Sequence, residues 1–387
     1  MRKRGFTMAT RTDSSPRPDR TVGIMVCPKA GDPPFPEKGY FRSLSLIGRQ
    51  IGLSVIVFFP NRLDWERRRV VGYMYSPSRK RWMKSFYPLP KVVYDRCFYP
   101  NPVIYAMYRE PIRRLMESRE TTFLGFGLKG KWPVYQMLSQ DAEIRRHLPE
   151  TELMRSPADA ARWLEMYGEL ILKPQGGSHG KGVLHIAASN SGRYTVRGRS
   201  LRNELIQTSF PTIRKLLVWV KAFTSSRPFV LQRYLTLTTE RGEAFDIRAL
   251  VQKNEKGLWE LTGTAVRLGL PGSVTSNLHG GGRAAETLPF LNSRWGKEKA
   301  PDIMKQIEDL AQRIPGVLEQ HHGRLAELGI DIGVDEDGEV WVLEVNSKPG
   351  RSAFAALPDK QAKLSSVRNP ILYARYLLDR SSLRAGR

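Results

Sequence analysis

Near the C-terminal end, the stretch LGIDIGVDEDGEVWVLEVNSKPGR (residues 328–351) brings Asp331, Glu344 and Asn346 into close sequence proximity. Two apolar runs, 329–334 and 340–345, flank an acidic turn closed by Gly338, which predicts a β-hairpin. Strand alternation places Glu344 and Asn346 on one face, and Asp331 on the neighbouring strand can join them. Two carboxylates and an amide oxygen form a hard, oxygen-only donor set, suited to Mg²⁺ carrying bound phosphates. The competing reading is an exposed hairpin with solvated acids. A second candidate lies at 169–182, where a strand ending in Lys173 runs into PQGGSHGKG. Gly176, Gly177 and Gly180, with Ser178 among them, leave backbone N–H groups able to approach phosphate oxygens, and Lys173 can set its ammonium against α- and β-phosphates. The order strand–glycines–strand is neither a Walker A loop nor GxGxxG before a helix. It fits a flap over a nucleotide, or alternatively a flexible hairpin loop.

Further candidates lie between these stretches. Asp246 and Arg248, two apart on an expected strand at 244–252, share a side; the plainer reading is a cross-strand surface ion pair worth little. Arg267 follows an expected strand at 259–266, where a guanidinium could hold a phosphoryl group with two hydrogen bonds. Asn277 opens NLHGGG, which is either a backbone anion site or only a turn. His321 and His322 have no ligand-spaced neighbours and are assigned no metal.

These groups need elements to hold them. The 387 residues suggest two or three domains. Lys and Arg outnumber Asp and Glu by 62 to 38, a formal charge of +24, so the surface favours anionic partners. Nucleotides, acidic peptides and polyanionic polymers all fit. Nucleic acid ranks last, because no nucleic-acid module or aromatic-basic repeat is visible. Cys27 and Cys97 are the only cysteines and suit a reducing, cytoplasmic compartment. No apolar run reaches the ~18 residues a membrane span requires. Residues 1–20 form a basic tail without a signal core, and Met8 stands as an alternative start.

Strand patterns at 21–28, 53–59, 70–75, 82–87 and 91–94, with a helix at 40–51, predict a small α/β domain over 21–120. Residues 121–380 predict an α+β domain with mainly antiparallel sheets, and 381–387 a short tail. This second domain should have a helix from 131 towards 147, one from Pro157 to Tyr167, and strands at 170–174, 183–186 and 229–234. A helix near 213–222, a long one at 302–328 kinked or split by Pro315, and a closing helix at 369–379 complete it. Regions 192–212 and 283–300 are expected as loops.

In order along the chain stand LILKPQGGSHGKGV, VLQRYL, FDIRALVQ, VTSNLHGGG and GIDIGVD…VWVLEVNSKPG. Over roughly 121–380 this sequence resembles the ATP-grasp superfamily, especially the YheC/YheD endospore coat-associated family and the RimK-type glutamate ligases; VVYDR at 92–96 favours the former. The resemblance implies an ATP-grasp fold, two α+β subdomains sandwiching the nucleotide, preceded by the small α/β domain. It assigns Lys173, and Lys131 before it, to the phosphates. Gln232, Arg233, Tyr234 and Leu235 become the hinge at the adenine edge, with Arg233 departing from the usual Glu. Asp246 falls near the ribose. Arg267 and Asn277 face the transferring phosphate, with Arg248 beside Asp246. Asp331, Glu344 and Asn346 become Mg²⁺ ligands, with Mn²⁺ as an alternative ion. The implied activity is ATP- and Mg²⁺-dependent carboxylate–amine ligation through an acyl-phosphate, with unidentified carboxylate and amine substrates; closure of the 175–182 loop would exclude water. The alternative is a non-catalytic, spore coat-associated structural protein.

Overall fold

The computed structural model describes residues 18–99, 101–177, 180–276 and 281–385. Most of the expected tail at 1–20, and the candidate residues Ser178 and Asn277, lie outside them. The described residues form two compact units, one from within 18–125, 255–257 and 367–385, the other from within 126–254 and 258–366.

In the first unit, β1 (Thr21–Met25), β2 (Ser54–Asp64) and β5 (Val92–Asp95) run parallel, with β6 (Thr122–Phe123) parallel to β5. The hairpin strands β3 (Arg69–Ser76) and β4 (Arg81–Pro88) extend the sheet antiparallel from β2. Helix α1 (Lys38–Gln50) makes the β1–β2 crossover, burying Phe41 and Leu44 at helical spacing. Helix α2 (Pro102–Glu117), which apolar periodicity did not disclose, starts at an Asn101 side-chain cap.

The second unit begins with two short helices, α3 (Lys131–Leu138) and α4 (Ala142–Arg145), where one continuous helix was expected. The break falls at Ser139–Asp141, and Asp141 caps α4 by accepting from the Glu143 and Ile144 amides. Then come β7 (Thr151–Leu153), α5 (Pro157–Tyr167), β8 (Glu169–Pro174), β9 (Leu184–Ala188), β10 (Tyr194–Arg199), β11 (Leu205–Phe210), α6 (Ile213–Thr224) and β12 (Phe229–Arg233). Residues 192–212 are therefore largely a β-hairpin, its alternation masked by polar residues on both faces. The sheet order is β11-β10-β9-β8-β12-β7, antiparallel throughout. Leu170, Leu172, Leu184, Ile186, Phe229 and Leu231 pack with Trp163, Leu164, Leu216 and Val220 of α5 and α6. The period-2 pattern leaves Lys173 and Gln232 on the opposite face.

A second antiparallel sheet follows: β13 (Glu243–Lys253), β14 (Trp259–Pro271), β15 (Arg283–Ala285), β16 (Glu327–Val334) and β17 (Val340–Asn346), in the order β15-β14-β13-β16-β17. Between β15 and β16 lies α7 (Thr287–His322), which starts well before the expected 302 and ends before 328. Its non-helical residue is Gly296, not Pro315, which sits buried inside the continuing helix. Phe245, Ile247, Ala249, Val251, Ile330 and Ile332 alternate onto the face covered by Ile303, Ile307, Leu310 and Ile314 of α7. The same alternation turns Asp246, Arg248 and Asp331 to the other face. Helix α8 (Ser352–Ala355) and the long α9 (Lys360–Ala385) close the chain; α9 begins earlier and ends later than expected.

Candidate functional site

The hairpin of β16 and β17 pairs Asp331 with Glu344 and Gly329 with Asn346, so the three candidate donors stand on adjoining strands. The register slips once: Asp331 pairs with Glu344 but Ile332 with Val342, leaving Leu343 as the extra residue of a β-bulge. Its signature is in the sequence, because buried Val340 and Val342 are followed by Val345, a spacing that breaks the period of two.

The bulge frees the Leu343 carbonyl from the ladder, and Lys173 of the other sheet uses it. Lys173 Nζ donates to Leu343 O at 3.3 Å and to Gln232 Oε1 at 2.7 Å. Gln232 Nε2 in turn donates to Thr151 Oγ1 at 2.9 Å, so the amide is held at both ends. Burial depresses the Lys173 ammonium from its ordinary 10.5 to about 8; Glu344 works against that shift and Lys131 adds to it. Lys131, at the start of α3, lies 3.3 Å from Glu344 Oε1. Its backbone N–H donates to Gln175 O at 2.9 Å, tying α3 to the glycine loop. Glycine at 130 permits this approach, since a Cβ there would lie 2.8 Å from Gln175 O.

These groups line a cavity of about 270 Å³, which Tyr135, Leu138, Leu148 and Val342 make partly apolar. Gly176 and Gly177 reach its wall together with Lys131, Lys173, Gln232, Glu344 and Asn346. Gly180 sits against Thr275, outside this lining. Of the other residues expected at a hinge, Arg233 is exposed, 3.5 Å from Glu150 and over the Trp341 ring, while Tyr234 stacks on His185 with centroids 4.0 Å apart. Leu235 follows them, half-buried.

Beside the cavity lies a quartet of charges. Arg267 lies within β14, not beyond its end, and is paired in register with Asp246. Its Nε and Nη2 donate to Asp246 at 2.6 and 2.7 Å, and Nη2 lies 2.9 Å from Asp331 Oδ2. Arg248 Nε donates to Asp331 Oδ1 at 2.5 Å, while Ser276 Oγ donates to Asp246 Oδ2 at 2.5 Å. Asp246 and Arg248 thus form cross-strand ion pairs, with Arg267 and Asp331 respectively, but buried ones and not the surface pair of the plainer reading. Burial pushes both aspartates up; at Asp331 the Arg248 and Arg267 guanidiniums outweigh it and hold the carboxyl below its ordinary range. At Asp246 burial wins despite Arg267, with the Asp331 charge adding to it.

The chemistry of the donor set fits a divalent cation: Asp331, Glu344 and Asn346 offer hard oxygen atoms from two paired strands. Thr151, Ser276 and the Leu343 carbonyl escaped sequence reasoning. Only the bulge announced itself, because Thr151 reaches Gln232 through cross-strand register and Ser276 reaches Asp246 from a loop, 30 positions away in the chain.

Comparison with known proteins agrees with this architecture. Residues 120–377 match the family described as YheC/D like ATP-grasp. The chain belongs to that family. It is 29% identical over 351 residues to the endospore coat-associated protein YheC of Bacillus subtilis, covering 89% of this chain and 94% of YheC. To YheD of the same organism it is 27% identical over 352 residues, covering 90% of this chain and 76% of YheD. The D-cycloserine synthetase DcsG superposes with a TM-score of 0.51 at 13% identity, over 93% of this chain and 99% of DcsG, which shows the shared ATP-grasp fold. Among the described residues, no helix is long and apolar enough to cross a membrane.

Proposed function

We propose that this ATP-grasp protein is an ATP-dependent carboxylate–amine ligase. The observation that carries the reading is the seat of Lys173: its ammonium is held by Gln232 and Leu343 O where the glycine loop, Lys131 and Glu344 meet around one cavity. Two lysines at one wall suit a polyphosphate, and the partly apolar remainder suits a base. Arg248 and Arg267, on neighbouring strands, are donors for a transferring phosphoryl group. Asp331, Glu344 and Asn346 would hold Mg²⁺, which supplies charge neutralisation across the phosphate chain when bound.

In this reading a substrate carboxylate attacks the γ-phosphate, giving an acyl-phosphate and ADP, and an amine then displaces phosphate to form the amide. The chain needs no covalent nucleophile for this: its part is to position the reactants and offset charge. The +24 net charge supports an acidic peptide or polymer as the acceptor class. The names of the two curated relatives support use of this chemistry in or near the endospore coat.

The test is an ADP-release screen of amino acids, peptides and polyanions with Mg²⁺, on wild type and on Glu344→Ala combined with Asn346→Ala. The double variant should lose metal-dependent ADP formation by at least a hundredfold. Undiminished turnover would remove the proposed cation site.

A further inference from the structure

Two guanidiniums, of Arg248 and Arg267, are seated on Asp331. Arg248 covers Oδ1 at 2.5 Å and reaches Oδ2 at 3.3 Å, where Arg267 also binds at 2.9 Å. Both carboxylate oxygens thus accept charge-assisted hydrogen bonds inside a buried cluster, Asp331 being 9% exposed. Glu344 is held more loosely, 3.3 Å from Lys131 Nζ, with its side chain 25% exposed. The quartet of Asp246, Asp331, Arg248 and Arg267 is neutral as it stands. A divalent cation arriving alone at Asp331 would displace guanidinium donors and leave their charges beside its own, in a place with little water to screen them. Arriving with a polyphosphate, it brings the acceptors that guanidiniums bind in preference to a carboxylate already shared. Arg267 can make that exchange without losing its anchor, because Asp246, held by Ser276, keeps its Nε and Nη2.

We propose that Arg248 and Arg267 latch Asp331, so that a divalent cation gains this ligand only together with a polyphosphate that draws the arginines off. The inference rests on the nucleotide-site reading above and adds a rule of assembly: the metal and the nucleotide enter as one complex, and metal alone is refused.

The test uses the full chain with Mn²⁺ as probe, followed by electron paramagnetic resonance and calorimetry, with and without a non-hydrolysable ATP analogue. Wild type should hold Mn²⁺ alone at least 100-fold more weakly than it holds the Mn²⁺–analogue complex. Arg248→Met combined with Arg267→Met should bind Mn²⁺ alone at least tenfold more tightly than wild type while losing the analogue. Arg267→Lys keeps a positive charge but cannot reach both aspartates with a fork. It should show a smaller gain in the same direction, and its thermal unfolding transition verifies folding should the double variant not accumulate. Equal wild-type affinity for Mn²⁺ with and without the analogue overturns the latch, as does a folded Arg267→Lys protein with no gain. Failure of wild type to bind the analogue at any Mn²⁺ concentration is a different result, and it removes the nucleotide reading itself.

Discussion

Nucleotide binding should pull a proton onto Lys173. Burial lowers this lysine from 10.5 to about 8, since its nearest side-chain partner is the neutral amide of Gln232 and not a carboxylate. At pH 8 about half of the molecules therefore hold it uncharged. A triphosphate placed against Nζ favours the ammonium and should return its pKa towards the ordinary 10.5, so binding takes up about 0.5 proton at pH 8. The same arithmetic gives about 0.1 proton at pH 7 and about 0.9 at pH 9. Calorimetric titration with the Mg²⁺ complex of a non-hydrolysable ATP analogue, in buffers of different ionisation enthalpy, reads the uptake as the slope of observed against buffer enthalpy. Lys173→Arg supplies the control, because a guanidinium keeps its proton throughout this range. Its slope should be flat from pH 7 to 9. A flat slope in wild type at pH 8 and 9, or equal slopes in the two proteins, would refute the placement of Lys173 against the phosphates.

The same lysine links stability to pH without nucleotide. Its folded pKa lies below its unfolded value, so the unfolded chain binds more protons between about pH 8 and 10.5; the burial penalty is complete below this window and relieved above it. The urea-unfolding free energy of wild type relative to Lys173→Met should therefore rise by on the order of 2–3 kcal/mol between about pH 7.5 and pH 10; a constant difference would contradict the burial. Gly130→Ala inserts a Cβ 2.8 Å from Gln175 O, forcing α3 away from the glycine loop. Chemical denaturation should show a loss of roughly 1–3 kcal/mol, and analogue affinity should fall with it; unchanged affinity would mean that the loop does not depend on this contact.

Much of the fold could be read from the chain because its signals are local. Period-2 alternation in β13 and β16 already separates Phe245, Ile247, Ile330 and Ile332 from Asp246, Arg248 and Asp331, and this decides which face buries hydrocarbon and which carries charge. The capping box of Ser156 and Asp159, with Pro157 at the first turn, fixed the start of α5. Where local signals conflicted, burial decided: Pro315 stays inside α7 because its neighbours Ile314 and Leu318 are wholly buried, while the kink goes to Gly296, whose positive φ costs little.

The sequence by itself determined the inventory: a lysine before a glycine loop, two strand-borne arginines, and two carboxylates with an amide near the end. Their partners belong to the tertiary structure. Register pairs Arg267 with Asp246 and Asp331 with Arg248, though the sequence offered Asp246 and Arg248 as neighbours. Packing of one sheet against the other brings Leu343 O to Lys173 across 170 positions of chain. Side chains two apart on one strand share a face, but a buried charge is settled by whichever opposite charge the adjoining strand delivers to hydrogen-bond distance, and no spacing along the chain records that.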